Sequence, residues 1–219
     1  MNGDSTSARE EGVNDSSREV RYAAMRALGE IKEERAVQSL TEQLTYYGKG
    51  EGAASAMQAL SRIAHPSSVP VFVARLTHKD PVMRRGAAEG LGRVGDASQI
   101  ATLVTGAGND LSGSVRAAMA FALQKLGRHY VTRLVDFLSS DDEVLQVQAY
   151  LIELGPSIER ELLPRLQEPD EMIRARVAEV LGAIGGDASL AALQALQDGD
   201  RGVTQAAQRA VERIKLRRG

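Results

Sequence analysis

The sequence has no cysteine, so the 219-residue chain cannot form a disulfide, a thiolate nucleophile or a cysteine-ligated zinc site. Tryptophan is also absent and aromatic residues make up only 4% of the chain. This scarcity removes most of the stacking surface on which proteins that bind single-stranded nucleic acid depend. Because the absence of cysteine fits a reducing compartment, we expect a cytoplasmic location.

Neither sign of charge dominates, since 27 Lys and Arg residues stand against 29 Asp and Glu residues, for a net charge of −2. A dedicated nucleic-acid-binding protein usually has a basic domain or stripe, so this balance argues against nucleic acid as the ligand. No run approaches the roughly 20 apolar residues of a transmembrane helix, and we expect no membrane insertion. Residues 1–16 are polar and lack the apolar segment of a signal peptide, which predicts a disordered leader.

What the sequence does contain is an internal repeat. The segments that start at Val20, Met83, Val115 and Ile173 read VRYAAMRALGEI, MRRGAAEGLGRV, VRAAMAFALQKL and IRARVAEVLGAI. Apolar or small residues recur in each at i, i+4, i+7, i+8 and i+11, the spacing of one helical face. A large apolar residue occupies the same position in every repeat, 28 to 32 residues after the one before, and we call this set the helix-A column: Leu28, Leu60, Leu91, Leu123, Leu151, Leu181 and Val211. A second apolar stretch follows each of the first six, which predicts a helix A, a turn and a helix B in each repeat.

Residues suited to helix ends recur in the same register. Side chains that can cap a helix start precede helix A at Ser17, Asp80, Ser112, Ser140, Asp170 and Asp200, whereas the second repeat has Lys49 there. Glycines that suit a left-handed helix end follow helix A at Gly95, Gly127, Gly155 and Gly185. Small residues inside helix A, such as Gly29, Gly92 and Gly182, should let neighbouring helices approach closely. These signals predict repeats at 17–48, 49–79, 80–111, 112–139, 140–169, 170–199 and 200–219, the last being a lone helix A.

The recurring pattern, (D/S)-x-x-V-R-x-x-A-x-x-A-L-G-x-I-G followed by an apolar helix B, resembles HEAT repeats. More narrowly, it is similar to the short bacterial repeats of phycobilin-lyase-like HEAT proteins. The resemblance spans about residues 17–214 and implies an all-α fold, an armadillo-like α-solenoid of about seven helical hairpins that forms a curved two-layer superhelix. It also implies that helices A line the convex side and helices B the concave side. A single repeat cannot bury its apolar face alone, so neighbouring repeats must share one core.

Arginine and histidine are side chains of this sequence that could bind an anion or a metal ion. One helix-A column holds Arg21, Arg84, Arg116 and Arg174. The resemblance implies that this column pairs with acidic caps of neighbouring repeats, with Asp80 and Asp170 as the partners. The three histidines, His65, His78 and His129, fall in separate turns too far apart to converge on a metal ion. The sequence also lacks the His-Glu dipeptides that serve as iron ligands in deoxyhypusine hydroxylase, an enzyme built on HEAT repeats. We therefore expect no catalytic residue, no cofactor and no metal site.

Two glycine-containing segments are predicted to be long connections between repeats. The first, YYGKGEG over residues 46–52, offers Tyr46, Tyr47 and Lys49 as candidate contacts for a partner. Glycine-rich backbone before a helix can hold an anion, but this segment lacks the spacing and terminal Ser or Thr of a phosphate-binding loop. The second is GAGNDLSG over residues 106–113.

The predicted binding surface is a ridge on the B helices. The core column of these helices is Leu40, Phe72, Leu103, Leu134, Leu162 and Leu193. The residue before each core position and the residue two after it share a ridge. In the central repeats the ridge comprises Val71, Ala74, Thr102, Thr105, Arg133, Asp136, Glu161 and Pro164, and Pro164 should kink or end its helix.

The ridge is apolar at one end and charged at the other, which favours a protein or peptide partner in the concave groove. The sequence therefore predicts a non-enzymatic protein-interaction scaffold or assembly module. The alternatives are an accessory protein of bilin-lyase type that acts on a partner protein, and a nucleic-acid-binding HEAT protein. The sequence leaves the oligomeric state open.

Overall fold

A computed structural model describes residues 12–15, 17–196 and 199–218. Within these ranges the chain is helical and has no β-strand. It divides into two compact units, Met1–Gly127 and Arg128–Gly219, which we call unit 1 and unit 2. Most of the predicted leader, residues 1–11 and 16, lies outside the described residues. The prediction of disorder is wrong for residues 12–15, because Val13 is fully buried and the Asn14 side-chain oxygen accepts a hydrogen bond from Gln43 at 2.8 Å.

Unit 1 consists of two layers of helices. Its helices are α1 (Arg18–Glu30), α2 (Val37–Tyr47), α3 (Gly50–Ile63), α4 (Val69–Arg75), α5 (Pro81–Val94), α6 (Ile100–Asn109) and α7 (Gly113–Lys125). The helices A of four repeats form one layer, in which α3 packs between α1 and α5, and α5 packs on α7. The helices B form the other layer, where α2 packs on α3, α4 on α5 and α6 on α7.

Unit 2 follows the same plan with shorter B helices. It comprises α8 (Val131–Asp136), α9 (Val144–Leu154), α10 (Glu159–Leu162), α11 (Glu171–Ile184), α12 (Asp187–Ala195) and α13 (Arg201–Arg218). Helix A α11 packs between α9 and α13, while α12 packs on α13. Pro164 has the predicted effect: α10 ends at Leu162 and continues as a 3-10 helix over Leu163–Gln167, because proline has no N–H to donate to the preceding turn.

Both apolar columns lie in the core, which confirms the register of the hairpins. In the helix-A column the six leucines are fully buried, and only Val211 is half-buried. In the helix-B column all six residues are buried. Each buried leucine contributes about 1.5–3 kcal/mol through removal of apolar surface from water. The repeat period is therefore set by these two columns.

Small residues bring successive A helices into backbone contact, as predicted. A β-carbon added at Gly92 would lie 2.6 Å from the Cα atom of Ala122, and one at Gly182 would lie 2.7 Å from the Cα atom of Ala210. Both distances are shorter than carbon atoms tolerate. Glycine is therefore required at this crossing in unit 1 and again in unit 2.

The predicted N-caps are correct in four repeats. The oxygens of Ser17, Asp80, Asp170 and Asp200 each accept a hydrogen bond from a backbone N–H of the first helical turn. Ser112 occupies the N-cap position, but its hydroxyl lies 3.0 Å from the hydroxyl of Ser114 instead.

The prediction for Ser140 is wrong, because α9 begins only at Val144. The Ser140 hydroxyl donates to the carboxylate of Glu143 within the preceding turn. The fifth repeat therefore starts its helix A later than the periodic pattern indicates.

The predicted left-handed backbone conformation is present at some of the four glycines and absent at others. Gly95 and Gly127 have φ values of 82° and 77° at the ends of α5 and α7, as expected. Gly155 has a positive φ of 72°, but its ψ of −161° lies outside the left-handed helical region. The prediction for Gly185 is wrong, since its backbone is extended, with φ −71° and ψ 156°. This conformation leads directly to Gly186, whose N–H donates to Glu159 at 2.8 Å.

Candidate interaction surface

The predicted ridge residues all reach the surface and are divided between the two units. In unit 1, Val71 and Thr102 are half-buried, while Ala74 and Thr105 are exposed on α4 and α6. In unit 2 the ridge positions on α8 and α10 are exposed and carry charge: Arg133, Asp136 and Glu161. The exposed ring of Pro164 follows α10.

An open cleft of about 640 Å³ lies in unit 1 between residues 76–79, which follow the C-terminal end of α4, and α6, and we call it the α4–α6 cleft. Its walls are formed by Leu76, Thr77, His78, Lys79, Arg84, Ala101, Thr102, Thr105, Gly106, Asp110 and Met119. Leu76 and Met119 are buried, so they provide an apolar floor. Glycine at position 106 leaves room for this floor, because a β-carbon there would lie 2.1 Å from the Met119 sulfur.

A second cleft, of about 530 Å³, lies between α2 and α4. Val71 lines this cleft with Val37, Gln38 and Thr41, and the mouth includes Glu34, Arg35, Glu42, His65 and Ser67. Three of the predicted ridge residues line the two clefts, Val71 the second and Thr102 and Thr105 the first.

An ion pair closes one end of the α4–α6 cleft. The Arg84 guanidinium donates to both oxygens of Asp110, from Nε to Oδ2 at 2.7 Å and from Nη2 to Oδ1 at 2.8 Å. These hydrogen bonds lower the pKa of the Asp110 carboxyl below its usual value and raise the pKa of Arg84. The two charges neutralise each other inside the cleft wall.

The four arginines that share one column of helix A donate hydrogen bonds to the connections that precede their helices. In each of four repeats, Nη1 of the arginine donates to the carbonyl oxygen six residues earlier: Arg21 to Asp15, Arg84 to His78, Arg116 to Asp110 and Arg174 to Glu168. The prediction that Asp80 and Asp170 pair with this column is wrong. Those two carboxylates accept hydrogen bonds from the N–H groups of their own helix starts, and the acidic partner of Arg84 is Asp110.

In unit 2 the charged ridge side chains interact with one another. Arg133 lies 3.9 Å from the Asp136 carboxylate and stacks over the ring of Phe137, at 5.4 Å from the ring centroid. A smaller opening of about 420 Å³ separates the 3-10 helix at Leu163–Gln167 from α12. Its lining includes Leu163, Leu166, Ala192 and Ala195.

The predicted loop at residues 46–52 is wrong. Helix α2 extends through Tyr47 and α3 starts at Gly50, so only Gly48 and Lys49 connect them. Tyr47 is fixed in place, because its hydroxyl accepts a hydrogen bond from Arg21 at 2.6 Å and its ring packs edge-on against Tyr22. Tyr46 is 80% exposed and Lys49 is exposed, so these two candidate residues do lie at the surface.

The second predicted long connection is also wrong. Helix α6 continues through Gly106 and Gly108 to Asn109, which leaves residues 110–112 as the connection to α7. Glycine is tolerated inside this helix at a cost of about 1 kcal/mol relative to alanine. The space that Gly106 leaves is occupied by the Met119 side chain.

Two of the three histidines accept hydrogen bonds from backbone N–H groups two residues later in the chain. Nδ1 of His65 accepts from the Ser67 N–H at 3.2 Å and Nδ1 of His78 accepts from the Asp80 N–H at 3.1 Å, while His129 is exposed. Among residues 12–15, 17–196 and 199–218, no group of three or more His, Asp or Glu side chains is placed to hold a metal ion. No helix in the described part of the chain has the length and apolarity needed to cross a membrane.

The sequence predicted the residues of α6 that line the α4–α6 cleft, Thr102 and Thr105, but not those contributed from other segments. Leu76 and Lys79 follow α4, Asp110 follows α6, and Met119 reaches the cleft from helix A α7. One available signal was the complete lack of charged residues in α6, IATLVTGAGN, on a helix that is partly exposed.

The sequence matches the family model for HEAT repeats over residues 49–124 and 131–212. It matches the model for the PBS lyase HEAT-like repeat over residues 20–46. No curated protein sequence matches the chain.

Several solved structures align with the chain over nearly its whole length. Human deoxyhypusine hydroxylase in complex with glycerol is 19% identical, with a TM-score of 0.42 over 99% of this chain and 86% of that chain. An engineered protein is 22% identical, with a TM-score of 0.44 over 99% and 98%. A designed armadillo repeat protein in complex with the peptide (KR)4 is 15% identical, with a TM-score of 0.39 over 94% and 98%. The HEAT-repeat models cover more than half of the sequence, and the stacked hairpins agree with them, so this chain belongs to the HEAT-repeat family and has an α-solenoid fold.

Proposed function

We propose that this protein is a non-enzymatic interaction scaffold that binds a protein or peptide segment on the exposed face of its B helices. The observation that carries the proposal is the pair of open clefts that border the B helices of unit 1, one lined by Val71 and the other by Thr102 and Thr105. Clefts of about 300–1,000 Å³ with apolar walls and a few polar groups are typical of binding sites. HEAT repeats commonly bind protein partners, which supports the same conclusion.

The groups that line the α4–α6 cleft favour binding over catalysis. The Thr105 hydroxyl donates to the Ala101 carbonyl at 3.0 Å, and Arg84 and Asp110 are engaged with each other. A nucleophile requires a neighbouring base, and an acid or base requires an accessible proton. The side chains of Thr105, Arg84 and Asp110 are therefore suited to form the wall of a binding site. The cytoplasmic location expected from the sequence stays part of the proposal.

The proposal is tested with a photo-crosslinking amino acid placed at Thr105, on the exposed face of α6. A matched variant carries the same group at Gln58, an exposed position on helix A α3. After illumination in the native lysate, we expect one protein to crosslink in stoichiometric amount to the Thr105 variant and not to the Gln58 variant. Equal crosslinking at the two positions would contradict the assignment of the B face.

Two further assays address the other functions that the sequence left open. Transfer of a bilin to an acceptor protein by the purified chain would contradict the scaffold function and indicate a lyase-type activity. A shift of a random oligonucleotide that weakens steeply with salt would indicate nucleic-acid binding. We expect neither result.

A further inference from the structure

The B helices of unit 1 contain almost no charged residues. Helices α2, α4 and α6 comprise 11, 7 and 10 residues, and their charged residues are Glu42 and Arg75. The A helices of the same unit carry more charge on average, with five charged residues in the 13 of α1, two in the 14 of α3, four in the 14 of α5 and two in the 13 of α7. The two layers of unit 1 therefore present surfaces of different chemistry.

Helix α6 shows this depletion on positions that face water. Its exposed residues are Ala101, Val104, Thr105, Gly108 and Asn109, and Val104 is 45% exposed. A helix at a solvated surface normally carries charged residues on its exposed face. A surface of small and apolar residues that lacks charge matches the centre of a protein–protein interface, where charged residues are depleted.

The charge that remains at the α4–α6 cleft is positive. The Arg84 charge is balanced by Asp110 through their ion pair of 2.7 Å. Lys79, which lines the same cleft, is exposed. The cleft thus combines an apolar floor, Leu76 and Met119, with the cation Lys79.

We infer that the α4–α6 cleft binds a partner segment in which a large apolar side chain stands next to an acidic residue. The apolar side chain enters between residues 76–79 and α6, and the carboxylate pairs with Lys79. This inference rests on the proposed function and specifies the partner's chemistry and the unit that recognises it. In unit 2, α8 and α10 carry the charged residues Arg133, Asp136, Glu159, Arg160 and Glu161. Helix α12 carries only Asp187, but the described residues that line the opening beside it include no cation.

The test uses the full chain and a phage-displayed library of random peptides of about 12 residues, which span up to about 40 Å when extended. After selection on the immobilised protein, we expect enrichment of sequences with a large apolar residue beside Asp or Glu. The affinity of the strongest peptide is then measured by fluorescence anisotropy for the wild type and for three variants.

The variants separate the cleft from the rest of the surface. Ala101→Glu places a carboxylate at the cleft wall and should weaken binding at least tenfold. Its matched control is Ala191→Glu, because Ala191 is also an exposed alanine two residues before the core leucine of its helix B, in unit 2. We expect Ala191→Glu to bind like the wild type. Lys79→Glu should reverse the charge preference, so that selection on this variant enriches basic residues beside the apolar one.

The outcomes distinguish the inference from the proposed function. If selected peptides bind but Ala191→Glu weakens them and Ala101→Glu does not, the inference is wrong while the scaffold function stands. Enrichment of peptides without an acidic residue, or an unchanged preference in Lys79→Glu, also contradicts the inference. If no peptide is enriched, both the inference and peptide binding by this scaffold fail. Unchanged helical circular dichroism and melting temperature of each variant exclude misfolding as the cause.

Discussion

Arg84 of the third repeat and Asp110 of the connection to the fourth form a two-point ion pair, with nitrogen–oxygen distances of 2.7 and 2.8 Å. The side chains are only 17% and 10% exposed. Arg84 also donates to the carbonyl oxygens of His78 and Lys79, so that one guanidinium ties together the connections on both sides of its repeat.

This geometry predicts a measurable loss of stability when the carboxylate is removed. Asp110→Ala should lower the free energy of unfolding by about 2 kcal/mol, because hydrogen bonds to charged groups contribute about 1.5–3 kcal/mol and the Ser112 N–H also loses its acceptor. The control is Asp141→Ala, which removes the partner of Arg176 but whose carboxylate is 81% exposed. Its effect should stay within about 1 kcal/mol. Equal losses in chemical denaturation would contradict the structural role of Asp110.

The same pair predicts a dependence of stability on pH. The pKa of Asp110 is lowered in the folded protein, chiefly by the hydrogen bonds from Arg84, and in the unfolded chain it returns to about 3.9. The stabilisation is therefore fully present above the unfolded pKa and is lost as pH falls through the folded pKa. We expect the difference in melting temperature between wild type and Asp110→Asn to be largest above about pH 5 and to shrink as the pH falls below the unfolded pKa of Asp110 and through its lowered folded pKa. A difference that is constant or grows in acid would exclude this mechanism.

Close packing of the A helices predicts opposite effects for two glycine substitutions. Gly92→Ala should destabilise the protein by about 1–3 kcal/mol, because the added carbon meets the Ala122 backbone at 2.6 Å. Gly108→Ala should stabilise it by about 0.5–1 kcal/mol, since nothing lies within 4 Å of the new carbon and alanine favours the helix. Thermal unfolding of the two variants checks the sign of each effect. Stabilisation by Gly92→Ala would show that the helices can separate at this crossing without cost.

The core column of helix A predicts a large effect for truncation of a buried leucine. Leu91→Ala should cost about 2–5 kcal/mol, from lost burial and the cavity that remains. Leu111→Ala, at a leucine that is 98% exposed, should change stability by less than about 0.5 kcal/mol. Denaturant titration gives both values, and similar midpoints for the two variants would refute the register of the repeat.

The hairpin register could be predicted from the sequence because burial imposes a strict period on residues such as Leu91 and Phe72. Helix ends were less predictable, since they depend on contacts from other repeats. The extended backbone at Gly185, for example, presents the next N–H group to Glu159, which lies 27 residues before Gly186. A local glycine pattern contains no information about that partner.

The candidate site was predictable only in part for the same reason. Thr102 and Thr105 follow from the helical period of α6, but the volume of the cleft depends on Gly106 and on the Met119 side chain from α7. The partner of Arg84 lies 26 residues away, whereas the resemblance to HEAT repeats implied the acidic cap Asp80. Side-chain pairing between repeats is decided by three-dimensional geometry, which the spacing of residue types does not specify.

Hydrogen–deuterium exchange tests most directly the claim that the B helices of unit 1 bind the partner. The full chain is compared with and without the peptide of highest affinity from the selection. We predict slower exchange in α6 and in the segment from α4 to Lys79, with little change in the A helices α1 and α3. Protection confined to the A helices, or to unit 2, would contradict the account.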